Sequence, residues 1–192
     1  MNDLRVLIAD DESIRLMNLA AQLHSLGCEV VGEAADGVQA IELARQTKPD
    51  LVILDIKMPY LDGIEAAQRI TAERPVPIIL ITAFGERELA ERAIEAGVFG
   101  YLLKPVAEED LHPAIMLAMS RFREFQVLRH ELENVREALE TRKLVEQAKG
   151  ILMDRLHLSE AEAFRRMQVQ SQRENKKMAD IARAIITAAK VM

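Results

Sequence analysis

The chain has 192 residues, 49% of them apolar, and carries 25 Lys and Arg against 31 Asp and Glu, a formal net charge of −6. That length suits one domain of ordinary size and a smaller unit. A single cysteine excludes an intramolecular disulfide scaffold and a multi-cysteine zinc site, and no apolar run reaches the roughly 20 residues a membrane helix needs. The first twelve residues, MNDLRVLIADDE, lack the order of a signal peptide, so a cytoplasmic protein without membrane contact is expected. The charge is unevenly spread. Residues 1–118 hold 10 basic and 20 acidic side chains, 119–139 hold 4 of each, and 140–192 hold 11 basic and 7 acidic. An acidic body joined to a basic end implies two units facing different partners, with polyanions the natural partner of the second.

In the first unit, short aliphatic runs at 5–9, 29–32, 51–54, 77–81 and 100–103 read as strands. Runs such as LVIL and PIILI, apolar on every residue, suit strands buried on both faces, as in a parallel sheet. Helical patterns lie between them at 13–26, 38–46, 63–73 and 86–96, and turn signals such as Asp36-Gly37 and Asp62-Gly63 separate the elements. Five strand–helix units within about 118 residues predict an α/β fold, a doubly wound five-stranded parallel sheet of the flavodoxin-like kind. Ligands in such sheets sit at the carboxyl ends of the strands.

Those strand ends carry chemistry. The first runs into Asp10-Asp11-Glu12, the third ends at Asp55, the fourth at Thr82-Ala83, and the fifth at Lys104-Pro105. Crowded carboxylates repel unless a cation joins them, and a donor set made of oxygen favours Mg²⁺. Lys104 adds a second positive group, so an incoming phosphoryl group can be balanced there. Neither the GxxxxGK[ST] loop nor the GxGxxG turn is present, which argues against a nucleotide as the phosphate source. Asp55 is the candidate nucleophile by position.

Residues 3–119 resemble a two-component response regulator receiver domain. The resemblance rests on Asp10-Asp11, on Asp55 within DIKMP, on Asp62-Gly63, on Thr82-Ala83, and on Tyr101 three residues before Lys104-Pro105. It implies that Asp55 accepts phosphate from a sensor histidine kinase. It implies further that Asp10, Asp11, Asp55 and the backbone carbonyl of Lys57 hold Mg²⁺. Thr82 and Lys104 would contact the phosphoryl oxygens, and Tyr101 would turn inward as the segment at Thr82-Ala83 moves.

From Glu109 to Gly150 there is no glycine, and one long helix is predicted. Its apolar residues Leu111, Ile115, Ala118, Phe122, Phe125, Leu128, Leu132, Val135 and Leu139 recur at heptad spacing with one shortened step. The first half should pack on the sheet, and the second should be the seam of a parallel homodimeric coiled coil. Beyond it, helices are expected at 140–156, 161–172 and 177–189, with Ser159 and Glu162 fitting a capping box.

This basic end is similar to the ANTAR domain, the RNA-binding antitermination module of AmiR/NasR-type regulators. The similarity is carried by ETRKLVEQAKGILM, LSEAEAF, Ala179 and Ala182, while MQVQSQRENKK departs from the family's small-residue run. It implies binding to hairpin loops in leader transcripts that blocks terminator formation. The expected divisions are a receiver domain over 1–119, a coiled-coil linker over 120–140 and an ANTAR domain over 141–190, with 125 as its earliest start. Candidate RNA contacts are Arg142, Lys143, Lys149, Gly150, Arg173, Lys176 and Lys177, since cationic groups neutralise phosphates. Phe164, the only aromatic residue after 140, is read as core, so no stacking platform is expected. The four histidines are widely separated along the chain and are read as forming no site.

The reading is a phosphorylation-gated regulator rather than an enzyme. A DNA-binding regulator is the first alternative, although KMADIARAIITAA lacks the polar first turns of a recognition helix. A receiver with a purely dimerising, protein-binding tail is the second.

Overall fold

The computed structural model describes residues 3–83, 92, 93 and 96–191. Its elements run β1 (Leu4–Ala9), α1 (Ser13–Ser25), β2 (Cys28–Ala34), α2 (Gly37–Thr47), β3 (Leu51–Asp55), α3 (Gly63–Glu73), β4 (Ile78–Thr82), β5 (Gly100–Leu103), α4 (Glu108–Leu156), α5 (Glu160–Glu174) and α6 (Met178–Val191). The helix expected over 86–96 lies largely outside the described residues.

The strands form one parallel sheet in the order β2-β1-β3-β4-β5. β3 and β4 are buried at every residue, because parallel strands are covered by helices on both faces. Alternate side chains feed two cores. Leu7, Val52, Leu54, Ile78 and Leu80 pack under α2 and α3; Val6, Ile8, Ile53, Ile79 and Ile81 pack under α1 and the start of α4. The side chains of Asp36 and Asp62 cap α2 and α3 by accepting from the backbone N–H groups of Gln39 and Glu65.

Compact unit 1 ends at Gln126, and a second unit follows from Val127. α4 runs through that boundary for 49 residues. Leu111, Ile115 and Ala118 are fully buried against the sheet, whereas Phe125, Leu128, Leu132, Val135 and Leu139 on the continuing stripe are 45–64% exposed. The stripe continues past its one shortened step, but its covering stops.

The second unit is helical. Its core is Val145, Ala148, Met167, Ile181, Ala182 and Ile186, drawn from α4, α5 and α6. Ser159 starts α5 with a complete capping box, its Oγ accepting from Glu162 N at 3.4 Å and its own N–H donating to Glu162 Oε2 at 2.9 Å. Asn175, in the left-handed region at φ 51°, ends α5. Gly150 does not break α4, and a methyl group built there would meet nothing within 4 Å.

Candidate functional site

The sheet order explains why the acidic residues meet. β1 and β3 are neighbours at the point where the strand order reverses, and the register Ala9↔Leu54 brings Asp10 level with Asp55. Ligand atoms of Asp10, Asp11 and Asp55 lie within 4.8 Å of one another; Asp10 and Asp55 are buried and Asp11 is exposed. Lys104 reaches this group from the end of β5, where its backbone N–H donates to the Thr82 carbonyl at 2.7 Å. Its Nζ stands 2.6 Å from Asp10 Oδ2 and 2.8 Å from Asp55 Oδ2.

Among the described residues three carboxylates face one ammonium there. Arg15 comes within 3.7 Å of Asp10 but is held at 2.7 Å by Glu12, so these groups keep a negative surplus. Burial pushes the Asp55 carboxyl above its ordinary value, and the Lys104 pair pulls it back only in part. This set of hard oxygen donors with surplus negative charge fits Mg²⁺. The chain itself is built around the pocket. Gly63 N donates to the Ile56 carbonyl at 2.9 Å, and a methyl group at Gly63 would strike the Asp55 carbonyl oxygen. The strand end that carries Asp55 thus requires glycine at 63.

The other sequence-selected positions lie around these groups. Thr82 is fully buried at the end of β4 and Ala83 is exposed beyond it. Lys57 is exposed in the turn after β3. Tyr101 is half-buried on β5 opposite Leu80, packed against the core under α2 and α3. Beside the pocket a cleft of about 670 Å³ opens between α1 and the ends of β4 and β5, with Arg15, Gln22, Ala83 and Val106 among its lining. Arg15 was not selected from sequence; its place two residues into α1, one turn beyond Asp11, is the signal that pointed toward the pocket.

In the helical unit two expectations change. Lys149, read as an RNA contact, is only 7% exposed, and its Nζ is bound by Glu160 at 2.7 Å and Glu146 at 2.9 Å. Glu160 first, then Glu146, holds its ammonium charged above the ordinary range. Lys149 therefore pins the first turn of α5 to α4, and it is withdrawn as a nucleic-acid contact. Gly150 beside it is half-buried within the helix. Phe164, read as core, is 44% exposed, because Ala163 and Met167 already fill the interior side of α5.

The remaining cations are exposed but not equally engaged. Lys143 pairs with Glu140 at 2.9 Å, Lys176 with Glu174 at 2.8 Å, and Lys177 with Glu137 at 3.6 Å. Arg173 lies near Glu174 without a close pair. Among the described residues Arg142, Arg165 and Arg166 enter no ion pair; of these only Arg142 was selected from sequence. Their availability depends on where α4 and α5 place the acids. No helix among the described residues is long and apolar enough to cross a membrane.

Comparison with known proteins agrees with this geometry. Residues 6–116 match the response regulator receiver domain and residues 133–186 the ANTAR domain. The transcriptional regulatory protein PdtaR of Mycobacterium tuberculosis is 53% identical over 164 residues, spanning 85% of this chain and 80% of that protein. The signal receiver domain of the putative response regulator NarL from Mycobacterium tuberculosis superposes with a TM-score of 0.59 at 31% identity, covering 62% of this chain and 98% of that one. A CheX–CheY–BeF3–Mg complex from Borrelia burgdorferi is similar at a TM-score of 0.57 and 28% identity, over 59% of this chain and 87% of that one. The chain belongs to the two-component response regulators, as a receiver domain followed by an ANTAR domain.

Proposed function

We propose that a sensor histidine kinase phosphorylates this protein on Asp55 and that the phosphorylated form binds hairpin loops in leader RNA to cause transcription antitermination. The observation that carries the reading is Lys104 bridging Asp10 and Asp55 at 2.6 and 2.8 Å in a pocket that keeps a negative surplus. An Asp55 carboxylate oxygen forms the new O–P bond as the N–P bond of a phosphohistidine breaks, and the imidazole keeps the electron pair. Asp10, Asp11, Asp55 and the Lys57 carbonyl would hold Mg²⁺, which when bound would supply charge neutralisation for the transferring group. Lys104 exchanges its carboxylate partner for a phosphoryl oxygen, and Thr82 meets another. Ala83 moves with Thr82, and Tyr101 follows on β5.

The domain divisions in this reading are a receiver over 1–119, a coiled-coil linker over 120–140 and an ANTAR domain over 141–190, in a cytoplasmic homodimer. The exposed stripe of Leu128, Leu132, Val135 and Leu139 supports pairing with a second copy, since a monomer gains nothing by leaving it in water. The RNA-facing groups are Arg142, Lys143, Arg173, Lys176 and Lys177, joined by Arg165 and Arg166. A DNA target is disfavoured because α6 is short-sided, with Ile181, Ala182 and Ile186 in the core.

The test is phosphoryl uptake by the full chain from a phosphorylated kinase or acetyl phosphate with Mg²⁺, read by intact mass. The parent should gain one phosphoryl group and Asp55→Asn none. Equal labelling of the variant overturns the assignment. Affinity for stem–loop RNA and for duplex DNA at equal salt then decides the output.

A further inference from the structure

The aromatic residue that sequence assigned to the core stands instead at the surface, in a groove of its own unit. Phe164 is 44% exposed, and with Asn134, Ala138, Thr141, Arg142 and Val145 it lines a groove of about 550 Å³ between α4 and α5. Two carboxylates also border it: Glu146 shares Lys149 with Glu160, at 2.9 and 2.7 Å, and Glu137 stands 3.6 Å from Lys177. Arg142 enters no close ion pair among the described residues, so the groove presents a guanidinium free to turn toward a ligand beside an exposed ring.

We infer that Phe164 and Arg142 form a stacking site for one unstacked nucleobase of a single-stranded RNA loop, with Asn134 and Thr141 placed to hydrogen-bond the base edge. This deepens the RNA-binding reading above and rests on it. The physical basis is general: loop bases are held by aromatic faces and by guanidinium planes, and a neighbouring arginine also serves the phosphate. A second copy of the chain is the competing occupant of an exposed apolar residue. The helix geometry favours RNA. At 100° per residue, Asn134, Ala138, Thr141 and Val145 face about 120° away from the stripe of Leu128, Leu132, Val135 and Leu139, whereas Arg142 lies about 50° from it. A partner helix laid along that stripe leaves the side of the groove formed by Asn134 and Thr141 open.

The chain has no tryptophan, so Phe164→Trp introduces a single indole reporter at the proposed site. The experiment uses the full chain with Mg²⁺ and beryllium fluoride, and a pool of stem–loop RNAs with randomised loops, from which a binding member is taken. Phe164→Trp should bind close to the parent, with its fluorescence quenched by RNA. Phe164→Leu keeps apolar volume but loses the π face, and should weaken binding about tenfold or more, the scale of one lost stack. Its salt dependence should match the parent's, whereas Arg142→Gln should lower the salt slope by about one.

Parent-like affinity of Phe164→Leu overturns the inference and leaves RNA binding by the domain intact. So does a change in the RNA-free oligomeric state of that variant, which would assign the ring to a second copy. If the parent itself retains no stem–loop, the RNA reading fails and takes this site with it.

Discussion

Replacing Asp55 by Asn should stabilise the metal-free protein while abolishing phosphoryl acceptance. The ligand oxygens of Asp10, Asp11 and Asp55 lie within 4.8 Å of one another. At an effective dielectric constant near 20, each like-charge pair at that limit costs about 3.5 kcal/mol. The Asp55–Lys104 pair at 2.8 Å returns about 6 kcal/mol on the same scale. Two repulsions and one attraction leave Asp55 unfavourable by about 1 kcal/mol; solvent around Asp11 lowers this and the burial of Asp55 raises it. The neutral amide should therefore raise the melting temperature of the receiver transition by about 2–4 °C in chelator at low salt. Magnesium should reverse the ranking. At ten times its dissociation constant it should add about 1.4 kcal/mol to the parent, and less to a variant that has lost one ligand.

The pH dependence has a definite sign. The folded-state pKa of Asp55 is raised above 3.8 by burial, so its ionised form weakens the fold above that raised value. The advantage of the Asn variant should shrink as pH falls through the folded value and vanish toward 3.8. Calorimetry at several pH values, with chelator and with Mg²⁺, measures both effects. A lower melting temperature for the variant in chelator, together with an equal gain from Mg²⁺ in both proteins, would refute the idea of a carboxylate cluster awaiting a cation.

Gly63→Ala should destabilise the receiver by about 1–3 kcal/mol and slow labelling of Asp55, because its methyl group must displace the Asp55 carbonyl; urea unfolding and intact-mass kinetics check this. Lys149→Met should loosen the attachment of α5 to α4 and weaken RNA binding without changing the salt slope, as expected of a structural cation. Circular dichroism melting beside a salt titration separates that outcome from loss of a phosphate contact. Leu132→Glu should reduce self-association in sedimentation and leave Asp55 labelling intact, since Leu132 lies beyond the receiver unit. Ser159→Ala should cost the helical unit about 1 kcal/mol through the lost cap, visible as faster hydrogen exchange in the first turn of α5.

Much of the pocket was legible in the residues because its signals are local. A buried strand announces itself as an apolar run, and the residue that ends it is then known, so Asp10, Asp55, Thr82 and Lys104 could be named before any contact was seen. The heptad-spaced stripe likewise predicted one long helix. Strand ends drifted by a residue or more: β2 extends to Ala34 and β4 to Thr82, since pairing with a neighbour, not composition, decides where a ladder stops.

The helical unit divides differently. Its three apolar faces, its capping box and its positive charge follow from composition and from a period of 3.6 residues, which any one helix displays by itself. Which side chains those faces bury is a property of pairs of helices. Lys149 and Phe164 exchanged their expected places because α5 sets Glu160 beside one, while Ala163 and Met167 leave no interior room for the other. The same holds at the sheet, where only the crossover order places β1 against β3 and gathers distant carboxylates into one charged pocket. Chain order carries periodicity and chemistry; proximity between distant residues, and the electrostatics it creates, arises only when the elements pack.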